Sequence, residues 1–196
     1  MSQNFTNYAF TESVRKEQEK YGSRASYGRM EEKAPDQNLV FQRELAHIES
    51  MDSFYMSTVG ENGWPYVQFR GGPKGFLKVI DPATLGYADF RGNMQYISIG
   101  NINATKKAAL ILLDYPTKTR LKIWAETEIL DPEKHPELQD KLVFSDYKAK
   151  VERLIIFHIK AFDWNCPQHI TPKYTMEEMR GLYHANNDVK EYFLKE

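Results

Sequence analysis

The chain has 196 residues, with 26 lysines and arginines against 27 aspartates and glutamates and a single cysteine. At about 150 residues per domain this gives one domain with helical additions, able to bury ~70% of its unfolded surface without disulfide or metal support. The balanced charge argues against a nucleic-acid binder living on counterion release, and the lone cysteine excludes an internal disulfide framework and fits a reducing compartment. No apolar run approaches the ~18 residues of a membrane span. The opening MSQNFTNYAF lacks the cationic-then-apolar order of a secretory signal, so a cytoplasmic protein is expected.

Thr11, Glu12 and the charged run to Lys20 predict a capped, solvated helix ending at Tyr21-Gly22. A flexible stretch with Gly28 and Pro35 follows. Residues 39–50, with Leu39, Val40, Phe41, Leu45 and Ile48 as apolar positions, predict a second helix. From Ser53 the apolar period shortens to two and β-branched and aromatic residues dominate. Residues 54–59 predict a strand. Asn62-Gly63 is a strong hairpin signal in which both turn positions would take positive φ, and residues 64–70 form the returning strand. Further strands are expected at 76–80, 85–90, 108–113 (as a fully buried strand) and 119–130. In the last, Leu121, Ile123, Ala125, Thr127 and Ile129 share one face. Residues 102–107 form a short candidate helix, and Asp131-Pro132 opens another to about residue 148. The last strand is expected at 153–162, with a helical tail from Thr175. Many short strands with few helices between them predict a mainly β protein: one domain over 1–196, its antiparallel sheet closed into a barrel or sandwich, with N-terminal helices (about 10–50) and a C-terminal helical tail (about 175–196).

Four places could carry chemistry. Arg70-Gly71-Gly72-Pro73-Lys74-Gly75 joins two strands. Backbone N–H groups and two cations can cradle a phosphate there, while an ordinary glycine turn is the plainer reading. The loop is not a P-loop, and no G-x-G-x-x-G fingerprint occurs in the chain. The stretch Gly92 to Asn101 concentrates small and amide side chains; Ser98 and Asn101 suit a phosphate near a helix N-terminus, or Asn101 simply caps a helix. Trp164-Asn165-Cys166-Pro167-Gln168-His169 joins a flat indole to amides suited to a planar heterocycle, with core packing of Trp164 as the alternative. Cys166 has no adjacent activating cation, and paired zinc-ligand motifs are absent, so no metal site is expected. Arg120 opens the long strand, either reaching an anionic group from the barrel rim or serving as a solvated cation.

Taken together, these strings resemble a family. Ser53 to Val59, the hairpin Glu61 to Tyr66, Arg70 to Asp81, Ala88 to Asn93, Ser98 to Asn101 and Trp164 to His169 are similar, in that order, to segments of the pyridoxamine 5′-phosphate oxidase-like flavoproteins. The likeness spans roughly residues 10–175 and is nearest to the flavin-nucleotide-binding branch. It implies an antiparallel FMN-binding split β-barrel, a homodimer with FMN at the subunit interface, and an oxidoreductase acting on an unknown small molecule. NADH and NADPH are the candidate donors. A non-catalytic flavin-binding or sensing module is the alternative, and a deazaflavin or haem in the same barrel stays open.

Carried over, the resemblance makes Arg70 the basic residue ending the second strand and Lys78 a second cation. It puts Asn93, Ser98 and Asn101 in the phosphate-binding connection and Arg120 near the ring or ribityl chain. Trp164 and Gln168 would lie near the flavin from the partner subunit. Gly71 and Gly72 would offer backbone N–H groups. This chain has Tyr96-Ile97-Ser98 where the true oxidases carry Arg and Lys. It also ends in Tyr192-Phe-Leu-Lys-Glu196, without the Arg- and His-bearing segment that grips pyridoxal phosphate. The first departure bears on the phosphate contacts, and the second points away from vitamin B6 oxidation.

Overall fold

The structure, a computed structural model, describes residues 3–165 and 167–185; Cys166 and the end of the expected C-terminal tail lie outside the described residues. Three helices open the chain: α1 (Thr6–Ala9), α2 (Glu12–Lys20) and α3 (Arg24–Lys33). Thr11 caps α2 as expected, its hydroxyl accepting from the Val14 N–H at 3.4 Å. Gly22, at φ +76°, turns the chain after it. α3 replaces the flexible stretch expected around Gly28. Its sequence has little amphipathic pattern; its support is tertiary. Glu31 binds Arg15 at 3.0 Å and also pairs with Arg24, which in turn donates to Gln18 at 2.8 Å. Arg24, with help from Arg15, holds the Glu31 carboxyl below the ordinary glutamate range against the opposing effect of burial. The helix expected from Leu39 is α4 (Gln42–Ser50). Its start is delayed because Val40 donates its N–H to the Pro82 carbonyl at 2.8 Å, and because the extended Phe41 is the N-cap, its N–H held by Glu44 at 3.2 Å.

Seven strands follow: β1 (Ser53–Val59), β2 (Pro65–Gly71), β3 (Lys78–Asp81), β4 (Thr84–Phe90), β5 (Lys107–Asp114), β6 (Thr119–Leu130) and β7 (Val151–Trp164). They form one sheet in the order β2-β1-β5-β6-β7-β4-β3, every neighbouring pair antiparallel. The expected closure does not occur through the backbone, since β2 and β3 are sheet edges. β3 has only four residues to offer a partner. The sheet instead curls until side chains bridge the gap. Phe54 of β1 meets Phe76, Tyr87 of β4 and Phe157 of β7 with centroids 5.5, 5.6 and 6.4 Å apart. Tyr87 stacks on Phe157 at 6.0 Å. This aromatic group and the inward-facing Leu110, Leu112, Leu121, Ile123 and Ile155 make the core.

β6 has the boundaries and the buried face that its alternation predicts, with Leu121, Ile123, Ala125 and Thr127 inside. β5 is not buried on both sides: Ala108, Leu110 and Leu112 point inward, and their neighbours are exposed or half-buried. At the hairpin only Gly63 takes positive φ, at +82°. The Gly63 N–H returns to the Gly60 carbonyl at 2.9 Å and Gly60 N–H bonds the Trp64 carbonyl at 3.0 Å, a type I turn closed by a left-handed glycine. The expected helix at 131–148 is shorter. A 3₁₀ turn (Pro132–Lys134) leads to α6 (Pro136–Leu142), because a residue preceding proline, here His135, resists the helical conformation. α5 (Ile97–Thr105) begins five residues before the predicted segment, and α7 (Met176–Ala185) ends the described chain. No helix among the described residues is long and apolar enough to cross a membrane.

Candidate functional site

Strand alternation builds one wall of a cleft. On β2 the residues Tyr66, Gln68 and Arg70 turn to one side, while Val67 and Phe69 stay exposed on the other. The end of β4 (Asp89, Phe90), the start of β7 (Glu152, Arg153), the connection 92–96 and the first turn of α5 complete a cleft of about 200 Å³.

The floor is an ion network. Asp89 accepts from Arg70 at 2.8 Å and from Arg153 at 2.7 Å, and Arg153 also donates to Glu152 at 2.7 Å. Asp89 and Arg153 are register partners across β4 and β7. Arg91 approaches Glu152 at 3.8 Å. Three guanidinium groups thus face two carboxylates, which leaves one positive charge over. Arg70 and Arg153 are largely buried (16% and 17% exposed), so this charge is poorly screened by water. The Nε of Arg70 is buried without a hydrogen-bond acceptor among the described residues, a cost of about 1–3 kcal/mol unless a ligand supplies one.

The rim is a helix N-terminus. Tyr96 stands at the N-cap position of α5 in the left-handed region, φ 54°, with no side-chain cap bond. Its carbonyl takes the first helical bond, from the Gly100 N–H. The N–H groups of the first turn therefore point out of the helix toward the cleft with no capping oxygen, the arrangement that attracts an anion. Met94 is also left-handed, φ 60°. Two such non-glycine residues so close together cost on the order of 1–3 kcal/mol each and persist where their surroundings hold them. Asn93 Oδ1 accepts from the Gln95 N–H at 3.1 Å, and the Arg153 guanidinium lies over the Tyr96 ring at 5.0 Å.

Of the residues singled out in the sequence, the structure brings Arg70, Asn93 and Ser98 together in this cleft. Ser98 is buried in the first turn of α5 and donates to Gln68 Oε1 at 2.7 Å. Asn101 is not a helix cap: it lies inside α5 and its amide donates to Thr58 Oγ1 at 3.0 Å, tying the helix to β1. Gly71 lines an adjoining hollow with Phe76 and Tyr87. Gly72 gives its N–H to the Asp52 carbonyl at 2.9 Å, and Gly75, at φ +75°, gives its own to Met51 at 2.8 Å. Lys78, on the opposite edge strand, lies over the Phe144 ring at 4.0 Å. Arg120 is near the start of β6, where its carbonyl accepts from the Asn165 N–H at 3.2 Å. Gln168 is exposed just after β7. Trp164 ends β7 in a cluster of its own, with Nε1 donating to Glu44 at 2.8 Å, Arg43 over the ring at 4.1 Å and His47 edge-on at 4.9 Å. Burial lowers the His47 pKa, although a 3.3 Å bond to the Leu112 carbonyl works the other way.

Arg153, Asp89, Gln68, Glu152 and Tyr96 were missed from sequence. The one available signal was opposite charge on two predicted strands, Asp89 and Arg153, and it acquires meaning only once the strand register is known.

The model of the pyridoxamine 5′-phosphate oxidase family matches residues 41–162, from the start of α4 to nearly the end of β7. Among solved structures, a candidate pyridoxamine 5′-phosphate oxidase from Lactobacillus delbrueckii is similar over 65% of this chain and 96% of its own, with 19% identity and a TM-score of 0.51. The HupZ protein of Group A Streptococcus, in a histidine-to-alanine variant, is similar over 65% of this chain and all of its own, with 13% identity and a TM-score of 0.50. At these identities the likeness is one of fold. No curated protein sequence matches the chain.

Proposed function

This chain belongs to the pyridoxamine 5′-phosphate oxidase family, and on that premise we propose that it binds FMN and acts as a dimeric oxidoreductase on a small molecule. The observation that carries this reading is the cleft at the N-terminus of α5. An uncapped helix end, a surplus positive charge and a buried Arg70 Nε without an acceptor together fit a phosphate monoester. Arg70 and the first-turn N–H groups of α5 would hold the phosphate, with Ser98 and Asn93 beside them. Asp89 keeps Arg70 and Arg153 in place rather than contacting the anion.

At about 200 Å³ the cleft is below the ~300 Å³ where pockets for drug-sized ligands begin, so it suits the phosphate end and not a tricyclic ring. The ring must find its walls elsewhere, and a second copy of the chain would provide them. On the side of β2 away from the cleft, Val67 and Phe69 are 61% and 57% exposed, beside Tyr55 and Val59 of β1. An apolar strip of this kind on an edge hairpin supports an interaction surface; it lies on the opposite side of the strand that carries Arg70, so it supports a second copy without itself walling the ring. When bound, FMN would supply the hydride chemistry, while the protein supplies position and charge.

The test is anaerobic. The chain loaded with FMN is mixed with NADPH or NADH, and the flavin absorbance is followed before and after an acceptor is added. Bleaching by either donor, reversed by the acceptor, is expected. FMN binding without reduction by either donor would make the chain a flavin-holding module and overturn the enzymatic reading.

A further inference from the structure

A second cavity, of about 470 Å³, lies between the N-terminal helices and the outer face of β6 and β7, and it shares no residue with the phosphate cleft. Its size falls within the range of small-molecule sites. Much of its wall comes from residues between Phe5 and Met30, which precede the segment matched by the family. The walls are rings. Phe5 stacks on Trp124 at 6.3 Å with 23° between planes, and Phe10 meets Phe5 and Tyr27 edge-on at 5.6 and 5.3 Å. Trp164 adds a fifth ring.

Two charged side chains stand among these rings. Lys122 and Asp163 are register partners across β6 and β7, so they project side by side from the same face. Asn165 Nδ2 donates to Asp163 Oδ2 at 3.2 Å and orients the carboxylate. Burial pushes the Asp163 carboxyl above the ordinary aspartate range, with Lys122 acting against it. The pair is neutral overall, so Lys122 disfavours a cationic guest and Asp163 an anionic one. What the pair offers is one strong acceptor next to one strong donor, beside a set of flat aromatic rings. The complementary edge is an N–H beside a C=O on a planar ring.

We infer that this cavity binds a neutral planar lactam heterocycle, of the pyrimidinedione or pteridinedione class, with its N–H/C=O edge on Asp163 and Lys122 and its ring among the aromatic side chains that line the cavity. The inference uses none of the cleft residues; because the flavin ring is itself a pteridinedione, the Asp163→Leu variant is what ties lumazine to this cavity. It is tested by isothermal titration of the purified chain with lumazine, and in parallel with 1,3-dimethyllumazine, which keeps the ring system and both carbonyls but has no N–H. Saturable binding of lumazine at one site per chain is expected. Affinity should be at least about ten-fold lower for the dimethyl compound and for Asp163→Leu, the scale of a lost charged hydrogen bond. Arg70→Ala should bind lumazine like the unaltered chain. No saturable binding, equal binding of the two compounds, or loss in Arg70→Ala would each overturn the assignment. The comparison of the two compounds uses the unaltered chain, so it stands even if a variant fails to fold.

Discussion

Asp89 is the pivot of the cleft, because its two oxygens hold Arg70 from β2 and Arg153 from β7 at 2.8 and 2.7 Å. That sharing separates two effects of one substitution. In Arg70→Ala, Asp89 keeps Arg153, so the fold loses a bond and is not left with a bare buried charge. The stability cost should stay near 1–3 kcal/mol, while FMN binding weakens by ~1.5–3 kcal/mol, the range for a charged hydrogen bond. Flavin fluorescence titration, performed well below the melting temperature, reads the second effect alone; unchanged affinity would remove Arg70 from the site. His47 makes a different prediction. An unfolded imidazole takes its proton near pH 6.5, whereas burial beneath Trp164 lowers the pKa in the fold. The unfolded chain therefore binds the extra proton, and the stability owed to this group is complete above about pH 6.5 and lost as pH falls below it. His47→Gln should show a smaller loss of urea midpoint between about pH 7.5 and 5 than the unaltered chain. An identical loss would mean that other groups carry the acid sensitivity.

At the scale of elements, legibility followed the strength of local signals. β6 was read to the residue because its 12 residues alternate without interruption. α3 was missed because its stability comes from Glu31, Arg15 and Arg24 meeting across the turn, a contact invisible to periodicity. α5 was placed too late, since its first turn has no acidic residue and no side-chain cap and so lacks the usual starting signal. The same missing cap is what makes the helix end a candidate anion site. Only part of the candidate cleft was legible: Arg70, Asn93 and Ser98 sit in strings with a recognisable character, whereas Asp89 and Arg153 come together only through register. The loop after β2 offers a test of how firmly the elements are joined. Gly75 has φ +75°, and a Cβ there would lie 3.1 Å from the Glu49 carbonyl oxygen at the end of α4. Gly22 has a similar φ of +76° with open space around it. Gly75→Ala should therefore cost about 1–3 kcal/mol more than the ~1 kcal/mol expected for Gly22→Ala. Equal denaturation midpoints for the two would show that the loop yields freely at this corner.

For the whole molecule, the curled sheet is the organising fact. It is closed by side chains instead of backbone bonds, and so it leaves the β2 edge with one side facing the cleft and the other exposing Val67 and Phe69. On the proposed reading, binding and assembly are coupled through this one strand. Val67→Lys alters a residue exposed in the single chain, so it should leave the fold intact, shift the dimer to monomer in sedimentation and lower FMN affinity in parallel. A monomeric unaltered chain at micromolar concentration would contradict the interfacial arrangement. The most direct test of the central claim is the visible absorption spectrum of the purified protein, with mass identification of whatever is released on denaturation. The expected result is a flavin spectrum and release of FMN. A colourless protein that also fails to take up added FMN would contradict it.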